Sequence, residues 1–260
     1  MNWDDAYANA PHIPRAETYP GNWQRAAEAF RLEFGNNNRS QLDIVYGNDE
    51  RNKLDIFLPK GDPLGVVVFV HGGFWRAFDK NSWSHLGAAF VEAGWAVALP
   101  SYRLAPSVSL DNIGDDVAAA LNKVASILDG PIVLVGHSAG GQLVTMLMAG
   151  VPSLPQAVSQ RIVRVVSISG VHDLTPLLQT AMNQDFALDL AAAQRLSPAL
   201  QKPLLQAALT CWVGANERPE FIRQNQLLAD AWKKEGREVK VVIEPDKHHF
   251  DVIEGLACKS

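Results

Sequence analysis

Ser138 stands at the centre of Gly136-His137-Ser138-Ala139-Gly140, a G-x-S-x-G run. The apolar, β-branched stretch Pro131–Val135 precedes it, and the helix-like Gln142–Met148 follows. A serine at a sharp turn between strand and helix is held in strained backbone geometry with its hydroxyl exposed. The residues two before and two after it come so close that only glycine fits. A hydroxyl is a weak nucleophile at neutral pH, so it needs a base to take its proton and an acid to orient that base. On such a sheet the partners follow in the order acid, then histidine, each from a loop after a later strand. The last apolar run ends at Glu244, with His248 and His249 just beyond; the run before it ends in Gly214-Ala215-Asn216-Glu217. Ser138, Glu217 and His249 therefore satisfy the order. Asp173 and Asp246 are the alternative acids.

A tetrahedral intermediate also needs two backbone N–H groups aimed at one oxygen. Ala139, next to the serine, supplies one. The other is expected from His71-Gly72-Gly73-Phe74-Trp75, which follows the apolar run Gly65–Val70. Gly72 and Gly73 let that backbone turn its amides toward the oxygen without side chains in the way. An H-G-G after one strand and a G-x-S-x-G after another, about 65 residues apart, is far more specific than either alone.

The elements that must position these residues are legible as apolar runs. Strands are predicted at Leu42–Tyr46, Leu54–Pro59, Gly65–His71, Trp95–Pro100, Pro131–Gly136, Ile162–Ser169, Ala207–Gly214 and Val239–Glu244. Helices are predicted at Ser82–Ala93, Asn112–Leu128, Ala139–Gly150 and Phe221–Glu235. Strands nearly continuous in Val, Ile and Leu, alternating with helices, indicate a mostly parallel sheet covered on both faces. The first two lack an intervening helix, which predicts a leading antiparallel pair. One α/β domain over 1–260 is the expectation. Residues 1–41 read as an irregular arm followed by a helix over Trp23–Glu33. The long connection 171–203 reads as a small lid.

Composition removes other classes. The chain has 260 residues, 47% of them hydrophobic and 20% charged, with a net charge of −5, and no Lys/Arg cluster to bind nucleic acid or an anionic membrane. No apolar run approaches the ~20 residues of a membrane span, and Met1–Asp5 is acidic where a secretory leader would be basic. Two cysteines, Cys211 in a predicted buried strand and Cys258 near the end, suit reduced thiols in the cytoplasm. No metal-ligand spacing or phosphate loop is visible, so no cofactor is expected. The expected partner is a small-molecule acyl substrate; a homo-oligomer stays open.

Five segments together resemble the kynurenine formamidase (arylformamidase) enzymes, members of the α/β-hydrolase superfamily near the carboxylesterases and hormone-sensitive-lipase relatives. They are His71–Trp75, Gly136–Gly140, Ser169–Leu174, Pro219–Gln224 and His249-Phe250-Asp251. Tyr102–Pro106 is similar to a stretch common in those esterases. The resemblance covers nearly the whole chain, including the arm Tyr7–Trp23, which in the family helps build the pocket. It selects His249 over His248 through His-Phe-Asp, and it implies hydrolysis of an N-formyl aryl amine. One position departs, since Glu217 stands where the family usually has aspartate. A carboxylesterase or thioesterase for small acyl groups uses the same machinery. A binding protein on this fold would have lost a member of the set.

The remaining histidines read as bystanders: His71 bracing the glycine loop, His137 packed, His172 on the surface. Phe74 and Trp75 are expected as an aromatic wall for the substrate, narrowing the acyl side to formyl or acetyl.

Overall fold

The structure is a computed structural model that describes residues 1–257. Cys258, read above as a reduced thiol, lies outside the described residues. Eight strands form one sheet: β1 (Ser40–Val45), β2 (Lys53–Phe57), β3 (Val66–Val70), β4 (Ala96–Pro100), β5 (Ile132–His137), β6 (Ile162–Ile168), β7 (Ala208–Gly214) and β8 (Val239–Glu244). Their order is β1-β2-β4-β3-β5-β6-β7-β8. The β1–β2 and β2–β4 pairs are antiparallel, and all the others are parallel.

Alternation along β3 shows why the central strands read as unbroken apolar runs. Val66, Val68 and Val70 pack on one face with Ile132 and Leu134 of β5. Val67 and Phe69 pack on the other with Val97 and Val135. Successive side chains point to opposite faces, so a strand covered on both sides is apolar at every position.

Helices α1 (Trp3–Tyr7) and α2 (Tyr19–Asn36) belong to the arm; α3 (Ala88–Glu92), α4 (Leu110–Ile127) and α5 (Ala139–Met148) follow in the sheet crossovers. In α2 the buried residues Trp23, Ala27, Phe30 and Phe34 recur at helical spacing. Pro20 sits in its first turn, which lengthens the predicted helix at that end without cost. The predicted helix over Ser82–Ala93 is instead a 3₁₀ turn, Ser84–Gly87, leading into the short α3. The change occurs at Gly87, where an added Cβ would stand 3.1 Å from Val97. A side chain there would press on Val97 of β4, which would have to give by a few tenths of an ångström.

After α6 (Gln156–Ser159), the connection 171–203 consists of 3₁₀ turns and two short helices, α7 (Asn183–Phe186) and α8 (Leu190–Arg195). Leu174, Leu177, Phe186 and Ala193 anchor it in the core. The last long helix, α9 (Pro219–Lys234), follows β7. No helix among the described residues is long and apolar enough to cross a membrane.

Candidate active site

The turn from β5 into α5 holds Ser138 at φ 54° and ψ −116°. Only tight packing sustains such a conformation in a residue with a side chain, and the flanking glycines permit that packing. A Cβ on Gly136 would lie 2.1 Å from the Gly140 carbonyl oxygen; one on Gly140 would lie 2.0 Å from that of Val70. The Ser138 N–H donates to the Ile168 carbonyl at 2.8 Å, tying the turn to β6.

His249 and Glu217 complete a hydrogen-bonded line. The Ser138 hydroxyl lies 3.0 Å from His249 Nε2, and His249 Nδ1 lies 2.6 Å from Glu217 Oε2. A carboxylate only accepts, so Nδ1 carries the proton and Nε2 is free to receive the serine's. The other carboxylate oxygen, Glu217 Oε1, accepts from the Ser169 hydroxyl and, at 2.9 Å, from the Gly214 N–H. All three residues are buried.

The alternatives lie elsewhere. Asp173 Oδ1 accepts from the backbone and hydroxyl of Thr175, while Asp246 is an exposed turn residue. His248 is engaged with Tyr19 and Asp251.

The glycine loop abuts the elbow, since a Cβ on Gly72 would lie 3.0 Å from that of Ser138. Gly73, Phe74 and Trp75 all have positive φ (110°, 48° and 56°). The Gly73 carbonyl accepts from the Arg76 and Ala77 amides, which fixes this left-handed turn. Ala139 is the first residue of α5, so its N–H has no carbonyl four residues earlier in the helix. His71 donates through Nδ1 to the Gly72 carbonyl, stacks on Tyr102 and accepts the Tyr102 hydroxyl at its own carbonyl.

Above Ser138 opens a cavity of about 540 Å³, bordered by His249, Phe74, Phe250, Trp23 and Trp83 among others. The arm contributes a continuous stretch of its wall, residues 7–11, whereas the connection 171–203 contributes Met182. Phe74 borders the cavity as expected, but Trp75 does not. It is fully buried, its Nε1 donates to Gln142 and its ring meets Phe186 edge-on. The left-handed turn swings consecutive side chains to opposite sides, so one aromatic faces the cavity and the next the core. His172 also departs from expectation. It is fully buried between Thr145 and Ser167, in hydrogen-bonding reach of both hydroxyls.

A family model of the alpha/beta hydrolases matches residues 67–253, which takes in the glycine loop, the elbow and both partners of the serine. The chain belongs to the alpha/beta hydrolase family. It is similar to the kynurenine formamidase of Danio rerio, 30% identical over 225 residues that cover 83% of this chain and 76% of the relative. A solved structure from a Silicibacter species, described as a candidate thioesterase, is 47% identical with a TM-score of 0.94, covering 99% of this chain and 95% of that one. Esterase B of Lactobacillus rhamnosis shares the fold alone, at 18% identity and a TM-score of 0.68 over 90% of each chain.

Two features of this hydrolase's site escaped the sequence reading. Ser169, which donates to Glu217, sits at the end of β6 with φ 53°; a polar residue closing an apolar strand was the available signal. The other is how the arm, which the resemblance already places at the pocket, is fastened there. Tyr7 donates to Glu220 of α9, and Gln224 donates back to Tyr7, so two residues of the Pro219–Gln224 segment clamp the arm over the cavity. Among the described residues no three His, Cys, Asp or Glu side chains group to hold a metal ion.

The buried histidines couple this architecture to pH. Burial lowers His71 and His85 from 6.5 to about 4 and His172 to about 3. Burial and the neighbouring His249 hold His137 well below 6.5. As pH falls below 6.5, the unfolded chain takes up protons that the folded chain refuses. Stability is therefore complete above about 6.5 and is lost toward pH 4, by up to about 1.4 kcal/mol per pH unit for each such group. Thermal unfolding measured from pH 7.5 to 4.5 should show Tm falling through this window, before most carboxylates titrate. A flat Tm down to pH 4.5 would contradict the neutral burial of these rings.

Proposed function

We propose that this enzyme hydrolyses ester or linear amide bonds by covalent serine catalysis. Ser138 Oγ attacks the carbonyl carbon while His249 Nε2 takes its proton, and the Gly73 and Ala139 N–H groups receive the oxyanion. Gly72 leaves room for that oxygen. His249 passes the proton to the departing nitrogen or oxygen, leaving an acyl group on Ser138. Water, deprotonated by His249, then attacks the acyl-enzyme; the acid departs and Ser138 regains its proton. Glu217 keeps the imidazole in the tautomer that accepts at Nε2 and stabilises it when protonated. The observation that carries this reading is the line Ser138–His249–Glu217 at the floor of a cavity.

For the substrate we favour an N-formyl aryl amine of the N-formyl-L-kynurenine type. Similarity to kynurenine formamidases and the aromatic lining of the cavity support it. A second reading, small acyl esters or thioesters, is favoured by the 47% identical Silicibacter neighbour. Side-by-side assays with N-formylkynurenine, p-nitrophenyl acetate and an acyl thioester separate the two by kcat/KM. With formamidase chemistry, N-formylkynurenine leads, and kcat/KM along a p-nitrophenyl ester series falls beyond two carbons, because longer acyl chains misplace the carbonyl relative to Ser138. With Trp75 in the core, the limit on the acyl side falls to Phe74 and the other residues that border the cavity. An open pocket would instead gain from each methylene, by up to ~0.8 kcal/mol. Activity rising through butyrate and hexanoate would transfer the assignment to a general esterase.

A further inference from the structure

His137, the last residue of β5, is buried directly before the nucleophile. Packing alone accounts poorly for an imidazole there. Its Nδ1 has no hydrogen-bond partner among the described residues, a costly state that an apolar side chain would not incur. The ring makes its polar contact through the other nitrogen: Nε2 lies 2.9 Å from the backbone carbonyl oxygen of His249. A carbonyl only accepts, so Nε2 carries the proton and donates it.

The other contacts of His249 act on its ring. Glu217 accepts from Nδ1, and the Phe221 ring lies 4.4 Å away between centroids. They orient the imidazole but leave the backbone that carries it to be fixed separately. The preceding residues are tied to their own end of the sheet. The Lys247 carbonyl accepts the Asn216 N–H, and the His248 N–H donates to Asp251. The His249 carbonyl is tied to the elbow instead, and among the described residues no backbone N–H donates to it.

This bond joins the two loops whose separation governs the reaction. Ser138 follows His137 in the chain, and its hydroxyl must stay within reach of His249 Nε2, 3.0 Å away. Through His137 the elbow carries both the nucleophile and a tie to its base, so the two loops move together. A neutral donor suits the place. The His137 and His249 ring centroids are 4.8 Å apart, and His249 turns positive each time it holds the serine's proton. Burial keeps His137 uncharged, so it donates without opposing that charge.

We propose that His137 is a positioning residue: by donating from Nε2 to the His249 carbonyl, it sets the distance between the catalytic base and Ser138. This rests on the serine-hydrolase reading above and adds to it a residue that carries no proton of the reaction.

The test follows hydrolysis of p-nitrophenyl acetate and N-formylkynurenine by the unaltered enzyme, His137→Leu and His137→Gln. Expressing kcat per Ser138 site titrated with a fluorophosphonate leaves unfolded molecules out of the count. Leucine removes the donor, whereas glutamine sets an amide N–H where the histidine Nε2–H stood. The leucine variant is expected to lose about 30- to 100-fold in kcat, as a misplacement of about 1 Å between base and nucleophile produces. KM should stay within about threefold, because His249 serves acylation and deacylation alike and both slow together. Glutamine should bring kcat back to within about fivefold of the unaltered enzyme. Should the leucine variant not fold, His137→Asn takes its place, since its shorter amide ends at the level of Nδ1 and misses the carbonyl. An unchanged kcat per site in the leucine or asparagine variant would overturn the positioning role, even with a lowered Tm. An equal loss in the glutamine variant would do the same, because it would trace the effect to the ring and not to its N–H. So would a raised KM at unchanged kcat, which would make His137 part of the substrate-binding wall. An unaltered enzyme that hydrolysed neither substrate would remove the serine-hydrolase reading along with the positioning role. Turnover by the unaltered enzyme, with any of the contrary variant results, would remove the positioning role alone.

Discussion

Replacing Ser138 with alanine is expected to lower kcat by about 10⁴- to 10⁶-fold, the usual consequence of deleting an activated nucleophile. The substitution isolates the hydroxyl. Alanine keeps the Cβ that packs against the glycine loop, and it meets the same backbone demand at φ 54°, so the strain of the turn is unchanged. The Ser138 N–H still reaches the Ile168 carbonyl. What disappears is the group 3.0 Å from His249 Nε2. Substrate binding should survive, because the cavity wall is intact, and Tm should stay close to that of the unaltered enzyme. A loss of less than about a hundredfold would show that another group performs the attack.

The second large effect is expected at Glu217, and the hydrogen bonds on its carboxylate dictate its direction. Glu217 Oε1 accepts from the Gly214 N–H and the Ser169 hydroxyl, while Oε2 accepts from His249 Nδ1. In Glu217→Gln one oxygen becomes an NH₂ donor. The backbone N–H of Gly214 can only donate, so the remaining oxygen must stay with it. The new NH₂ then faces Nδ1 and forces the imidazole into the tautomer protonated at Nε2. That tautomer cannot accept the serine's proton, and kcat should fall by about 10⁴. Asp173→Asn is the matched control. Its Oδ1 keeps its bonds to Thr175, and activity should change by less than about threefold. The reverse outcome, an inactive Asp173→Asn beside a nearly normal Glu217→Gln, would move the acid to the end of β6.

The features legible in the sequence are those encoded by local pattern. β3 and β5 announce themselves because strands buried on both faces are apolar at every position. The elbow does so because steric exclusion at Gly136 and Gly140 leaves a fixed spacing around Ser138. The chain order of Glu217 and His249 follows from the parallel sheet, which delivers successive loops to one edge. What was not legible depends on contacts between distant segments. The direction of Trp75 is set by three successive left-handed residues, and no hydrophobic periodicity encodes such a turn. His172 follows a strand at a position where a polar residue commonly meets water; its burial depends on Thr145 from α5 and Ser167 from β6. The arm is irregular in sequence, and only the resemblance joins it to the site. The bonds that hold it there, from Tyr7 to Glu220 and Gln224, span more than two hundred residues.

The central claim is that the reaction passes through a covalent bond to Ser138. A serine-directed fluorophosphonate tests it most directly, with the site of attachment read by mass spectrometry of the digested enzyme and residual turnover followed in parallel. The account predicts stoichiometric labelling of the peptide carrying Ser138, loss of turnover in proportion to labelling, and no labelling of that peptide in Ser138→Ala. Full turnover with Ser138 unlabelled, or inactivation by attachment to a different residue, would contradict it.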